Sequence, residues 1–402
     1  MRPPTLRSEG LAAGRPTGFA DLLPGQAERR RELEQTILGG FAGWGYRLLE
    51  TPAVELLSTV EAGMQPEAVR RLFKMADADG RMLALVGERT VPVARVVAGQ
   101  LRSAPLPLRL CYLGSTFEGH PAPGRNRQGL QAGAELVGAP GPAADAEVVA
   151  LAVEALNACG VQDFQVEVGH VGFFGGIMEG LGDEQRMLVM DALAGRDLVE
   201  LEAALAQTDL RAAEQELLLR FPALRGGPQI LEAAGRMVDN PVSAAALTEL
   251  AEVHRLLQAH GAGERVNLDL GAVRDFDYYS GVIFEVFAPG LGIPLAAGGR
   301  YDGLLQHFGY PQPATGVVVF LDRVQSLLHG ERPLTGAEAV LVGHTDDPAA
   351  AAAVAARLRR AGGVAILDLE PADAPALGER AAARGIGSAL LCDGLAEVEV
   401  RP

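Results

Sequence analysis

The chain has 402 residues, 48% hydrophobic and 21% charged, enough for two or three domains with sizeable cores. Its formal net charge of -16 argues against the broad basic surface of a nucleic-acid binder, leaving room only for a local basic groove. The three cysteines (Cys111, Cys159, Cys392) and seven histidines show neither disulfide nor metal-ligand spacing, so no metal or other cofactor is expected.

Residues 1–16 lack the apolar centre of a signal peptide and read as a disordered leader. No apolar run approaches the ~18–20 residues of a membrane span, so no membrane partner is expected and the cytoplasm is the expected compartment. Residues 27–43 have helical spacing after the Pro24-Gly25 turn, and GYRLLETPAVELL is extended, interrupted by Pro52. Strands are predicted at 81–87 and 107–118, with a helix beginning near Pro92 between them. A helix over 141–160 has Asp145 and Glu147 early and a glycine stop. A strand at 164–173 leads into a helical insert, about 174–262, with no strand candidate in it. Strands at 265–271, 281–287, 293–298 and 314–321 then complete a mostly antiparallel sheet covered by helices, an α+β architecture.

Turn residues at 330–338 suggest a linker, so the main domain is placed at 17–329 and a second at 338–402. The second alternates AVLVGH, an alanine-rich helix, VAILDLE, a helix near 374–385 and SALLCDG. That order predicts a small β-α-β-α-β domain with a parallel sheet.

Two stretches carry the most chemistry: VRDFDYYSGVIFEVF (273–287) and AAGGRYDGLL (296–305). Taken singly, an acid on a strand is usually solvated or paired, and adjacent tyrosines usually pack. The ordered set, spread over roughly 300 residues, resembles the histidine signatures of histidyl-tRNA synthetases, which are class II aminoacyl-tRNA synthetases. That resemblance implies a class II synthetase-like antiparallel sheet with flanking helices and a histidine pocket. Free histidine needs acceptors for its ammonium, donors for its carboxylate and partners for both ring nitrogens. In LVGERT (85–90), Glu88 and Thr90 match residues that hold the amino group, although Val86 replaces the family's arginine. In GRNRQGLQAGAELVG (124–138), Gln131 matches a glutamine at the amino acid and Glu135 the acid that meets the imidazole. Arg274 matches the family's catalytic arginine near the substrate carboxylate, and Tyr279, with Tyr278 beside it, a tyrosine at the imidazole.

The adenylation residues depart from that pattern. Class II enzymes neutralise the α-phosphate with an arginine after a phenylalanine, and here the pair is Phe117-Glu118. A carboxylate facing a phosphate is repulsive by about 4 kcal/mol for unit charges about 4 Å apart at an effective dielectric near 20. Arg125 or Arg127 stands close enough in sequence to compensate in part. In PATGVVVFLDRV (313–324), Arg323 matches an adenine-stacking arginine, but Phe320 replaces a glycine where the backbone should approach the nucleotide. Residues 338–402 resemble a truncated anticodon-binding domain without Phe, Tyr or Trp, so no tRNA reading is expected.

A histidine pocket without adenylation machinery is similar, from about residue 17 onward, to the ATP phosphoribosyltransferase regulatory subunit family of histidine biosynthesis. TGFADLLPGQAERRRELE and GRDLVELEAAL add to that likeness. The resemblance implies a non-catalytic subunit with no cofactor and free histidine as ligand. It also implies a homodimeric core and a hetero-octamer with the short-form catalytic subunit, which requires the regulatory subunit for activity and is feedback-inhibited by histidine. Arg274 and the intact DYY run keep a divergent histidyl-tRNA synthetase as the alternative. A paralogue that only binds an amino acid or modifies proteins is a third class.

Overall fold

The structure, a computed structural model, describes residues 14–121, 126–195, 197–272, 278–328, 339–393 and 396–401. Most of the expected leader, residues 1–13, lies outside them. The chain begins with α1 (Pro24–Gly43), β1 (Arg47–Leu48), β2 (Val54–Leu56), α2 (Leu57–Gly63) and α3 (Pro66–Arg70). Next come β3 (Lys74–Ala76), β4 (Met82–Leu85), α4 (Thr90–Gln100), β5 (Leu108–Phe117), β6 (Gln128–Val137), α5 (Pro142–Ala158) and β7 (Gln165–His170). A helical stretch holds α6 (Val171–Ile177), α7 (Asp183–Gly195), α8 (Leu198–Leu205), α9 (Ala212–Leu219), β8 (Arg225–Gly226), α10 (Gln229–Gly235) and α11 (Pro241–Ala259). Then follow β9 (Val266–Asp269), β10 (Val282–Phe287), β11 (Ala296–Arg300), β12 (Ala314–Phe320) and α12 (Leu321–Leu327). Beyond them lie β13 (Ala339–His344), α13 (Pro348–Arg360), β14 (Val364–Leu367), α14 (Ala374–Ala383), β15 (Ser388–Asp393) and β16 (Ala396–Val400).

The described residues form two compact units. The larger runs from Arg31 to Leu328 with the residues before 21, and the smaller combines Asp21–Arg30 with the C-terminal elements. In the larger unit a nine-stranded sheet has the order β1-β5-β6-β12-β11-β10-β7-β9-β8. Its strands pair antiparallel except at β1–β5 and β7–β9, giving the mostly antiparallel sheet expected from the sequence. A separate three-stranded sheet is ordered β2-β4-β3.

Helix α5 shows why these residues fold as they do. Pro142 sits at its start, where a missing N–H costs nothing, and Asp145 lies in the first turn. Alanines and branched residues such as Val148, Val149 and Leu151 are buried along its length, so the helix is covered nearly all round. Gly160 ends it with φ +89°, a conformation that favours glycine.

Three expectations need correction. The stretch 174–262 does contain a strand, β8, whose Arg225 and Gly226 pair with Asp269 and Leu268. Two residues give no periodicity to read, and only the partner strand defines it. The 124–138 segment, read from the sequence only as a signature, contains β6, paired along its length with β5 and β12. The small sheet has the order β14-β13-β15-β16: three parallel strands plus an antiparallel edge that the β-α-β-α-β reading lacked. AEVEV has two acids in five residues and is mostly exposed, which disguises it as a tail.

Candidate functional site

The register of β5, β6 and β12 builds one wall of the site. Gln131, Gly133 and Glu135 stand on one face of β6, since alternate residues share a face. They are opposed by Gly114, Tyr112 and Leu110 of β5, and by Phe320, Val318 and Gly316 of β12. Two of these positions require glycine for space. A Cβ on Gly133 would overlap the Tyr112 ring, and one on Gly316 would overlap the Glu135 carboxylate.

Above this wall lies a cavity of about 800 Å3. Glu88, Thr90, Tyr112, Gln131, Tyr278 and Tyr279 line its polar part. Glu88 stands just before α4, and its carboxylate accepts the backbone N–H groups of Thr90 (2.8 Å) and Val91 (2.9 Å). It therefore caps α4 as well as facing the cavity. Burial pushes its pKa up, although the N–H donors and the Thr90 hydroxyl favour the ionised form. The Thr90 hydroxyl also lies close to Glu135, Tyr112 and Tyr278.

Glu135 is 2% exposed and lies behind the lining residues, where it accepts the Tyr301 hydroxyl. Burial raises it to about 8 and the neighbouring Glu88 adds to the rise, partly offset by the Tyr301 and Thr90 bonds. The rings of Tyr278 and Tyr301 lie 5.6 Å apart, and Tyr279 meets Tyr278 edge-on at 5.1 Å. Of the seven residues singled out in the sequence, five line this cavity and Glu135 lies immediately behind it. Arg274 falls outside the described residues. Tyr112 and Tyr301 were missed as site residues. Tyr301 stood in the quoted GGRYDG run, whereas Tyr112 carried no local signal on its strand.

The other residues of that run are structural. Arg300 (6% side-chain exposure) pairs with Asp145 (2%) at 2.9 Å and donates to the Gly141 carbonyl at 3.1 Å, tying β11 to the start of α5. Asp302 accepts the Ala314 N–H at 3.0 Å. Arg89, beside Glu88, gives its guanidinium to the Thr51 and Ser115 carbonyls at 2.9 and 2.7 Å.

The part of the cavity where a nucleotide would lie differs from an adenylation site. Phe320 lines it, and the Arg323 guanidinium sits 3.7 Å from the centre of the Phe320 ring while donating to the Pro294 carbonyl at 2.5 Å. The cation that the resemblance assigns to adenine is already stacked on a ring of its own chain. Glu118 pairs with Arg71 at 3.3 Å, and Arg71 is itself a lining residue. Arg127 lies over the Phe73 ring, 6.0 Å from its centre, and Arg125 is outside the described residues. Acids dominate the remaining polar wall: Glu167, which is paired with Arg225, then Asp269 and Glu285. Among the described residues, no group of three or more His, Cys, Asp or Glu is arranged to hold a metal ion. Among them too, no helix is long and apolar enough to cross a membrane.

The histidyl-tRNA synthetase family profile matches residues 18–324. An ATP phosphoribosyltransferase regulatory subunit from Moorella thermoacetica is 42% identical over 375 residues, covering 92% of this chain and 96% of its own. The regulatory subunit from Geobacter sulfurreducens is 36% identical over 362 residues, covering 88% of this chain and 82% of its own. Among solved structures, an ATP phosphoribosyltransferase regulatory subunit/histidyl-tRNA synthetase from Bacillus halodurans superposes with a TM-score of 0.84 at 30% identity, covering 96% of this chain and 99% of that one. A Nostoc histidyl-tRNA synthetase, 22% identical with a TM-score of 0.80 and 97% of each chain covered, shares the fold. The sheet, the pocket and these relatives agree: the chain belongs to the family of ATP phosphoribosyltransferase regulatory subunits, built on the histidyl-tRNA synthetase fold.

Proposed function

We propose that this protein is the non-catalytic regulatory subunit that a short-form ATP phosphoribosyltransferase needs for activity, and that it binds free histidine as the feedback signal. The observation that carries the reading is the division within the cavity. Its amino-acid end keeps Glu88, Thr90, Gln131 and the tyrosine pair, while its nucleotide end has Arg323 stacked on Phe320. Glu135 and Arg274 complete the proposed histidine set. The names of the regulatory-subunit relatives supply the partner. Feedback then works by linkage: histidine binds the inhibited assembly more tightly than the active one, and the affinity ratio sets how far the population moves.

The proposed assembly is a homodimeric core within a hetero-octamer, in the cytoplasm, without tRNA. The main domain is placed at 17–329, with the helical insert at about 174–262, and a truncated anticodon-binding-like domain at 338–402. The test is condensation of ATP with phosphoribosyl pyrophosphate by the cognate short catalytic subunit, with and without this protein. Activity that appears only in the mixture and falls on adding histidine is the expected result. No stimulation, with histidine-dependent pyrophosphate exchange by this chain alone, would instead establish a divergent synthetase.

A further inference from the structure

The surroundings of Glu135 deepen the histidine-pocket reading, and the inference drawn from them rests on it. The Glu135 carboxyl occupies the space that the absent Gly316 side chain leaves on β12. Polar groups from several neighbouring elements surround it. The Tyr301 hydroxyl comes from the residue after β11, and Thr90 and Glu88 come from the start of α4. Tyr112 projects from β5 over Gly133, and Tyr278 packs on Tyr301 from ahead of β10. Arg89, next to Glu88 in sequence, is held on backbone carbonyls at 2.9 and 2.7 Å. Farther out, Tyr46 and Arg109 both bond Glu147. Within this described shell Glu135 meets hydroxyls and a second carboxylate, and it makes no ion pair.

We propose that Glu135 holds a proton in the empty pocket and hands it to the imidazole of incoming histidine, leaving a carboxylate–imidazolium pair in the cavity. The carboxyl O–H bond breaks and an N–H bond forms on the ring. No proton enters from solvent or leaves to it. The level near 8 that burial gives this carboxyl agrees with the proton being present at neutral pH.

The consequence is a pH window that an ordinary glutamate would not give. With a carboxyl titrating near ~4.3, the same pair would draw a proton from solution above ~6.5, and affinity would fall roughly tenfold per pH unit from there. A pocket already carrying the proton holds its affinity level from about 6.5, where free imidazole titrates, to about 8. Below that window histidine brings its own proton and one must be released. Above it the pocket is empty of its proton and one must be taken up.

The experiment is calorimetric titration of the full chain with L-histidine, in buffers of differing ionisation enthalpy, at about pH 5.5, 7.2 and 9. The expected counts are release approaching one proton, near zero, and, beyond the uptake by the ligand's own α-amino group, uptake approaching one. Uptake approaching one at about pH 7.2 overturns the proposal. In Glu135→Gln the uptake at about pH 9 should fall by about one proton relative to the parent, leaving only that of the ligand's α-amino group, and an undiminished uptake also overturns it. If histidine binds at none of these pH values, the pocket reading falls and the proposal with it. Binding with the wrong proton count overturns the proposal alone.

Discussion

His254 lies on the buried face of α11, 7% exposed, and neither of its ring nitrogens has a hydrogen-bond partner. Burial therefore depresses its basicity. His170 shifts the same way, burial outweighing its 3.1 Å contact with Glu249. Unfolding releases both to an ordinary value near ~6.5, so the unfolded chain takes up protons that the native one refuses. Stability should be full above that value and should decline as pH falls through it. Replacing His254 with Leu removes two unsatisfied buried groups, and burying an apolar side chain there is neutral to stabilising. The melting temperatures of the variant at about pH 5.5 and 7.5 should lie closer together than those of the parent. An unchanged gap would exonerate this histidine. At this scale the sequence exposed Glu88 and Glu135 because each sits inside a short run with recognisable neighbours, but not Glu167, Asp269 or Glu285 of the cavity wall. It concealed Tyr112, whose place in the site depends on which strands become adjacent, and the Arg323–Phe320 stack, which depends on the turn from β12 into α12.

Elements were legible where their own periodicity or turn residues defined them, as in α1, α5 and β10. β6 was not, because its glycines and glutamines have weak strand propensity. Pairing with β5 on one side and β12 on the other overrides that weak propensity. The Arg300 salt bridge is the corresponding tie between β11 and α5, and both of its side chains are almost fully enclosed. Truncating Arg300 to Ala leaves the Asp145 carboxylate buried without its cation, which typically costs about 3–5 kcal/mol. Chemical denaturation should show that loss as a lower midpoint. A change within about 0.5 kcal/mol would mean that the site relaxes and admits water. The GGRYDG run thus divides by residue: Tyr301 bonds Glu135, whereas Arg300 and Asp302 fasten strands.

The two units have separate hydrophobic cores. In the larger one a cluster including Phe41, Leu151, Phe173 and Val286 fills the space between sheet and helices, and a second, with Tyr112 and Tyr301, lies under the site. The smaller sheet has a cluster on each face, centred on Leu341 and on Val342. Every aromatic residue of the chain belongs to the larger unit, with Trp44 as the single tryptophan. Fluorescence should therefore follow only the larger unit on heating, while far-ultraviolet dichroism records both. Transitions that coincide by the two probes would show that the units unfold together. The order of signature residues determined the family, the fold class and the expectation of a pocket before any contact was known. Those features depend on residue type and local spacing. Only tertiary structure decided that Glu135 stands in a shell of hydroxyls, that Glu118 turns to Arg71, and that Arg323 stacks on Phe320. The first two are meetings of side chains brought together by strand register or loop packing, which local spacing does not encode, and the third is set by the turn from β12 into α12.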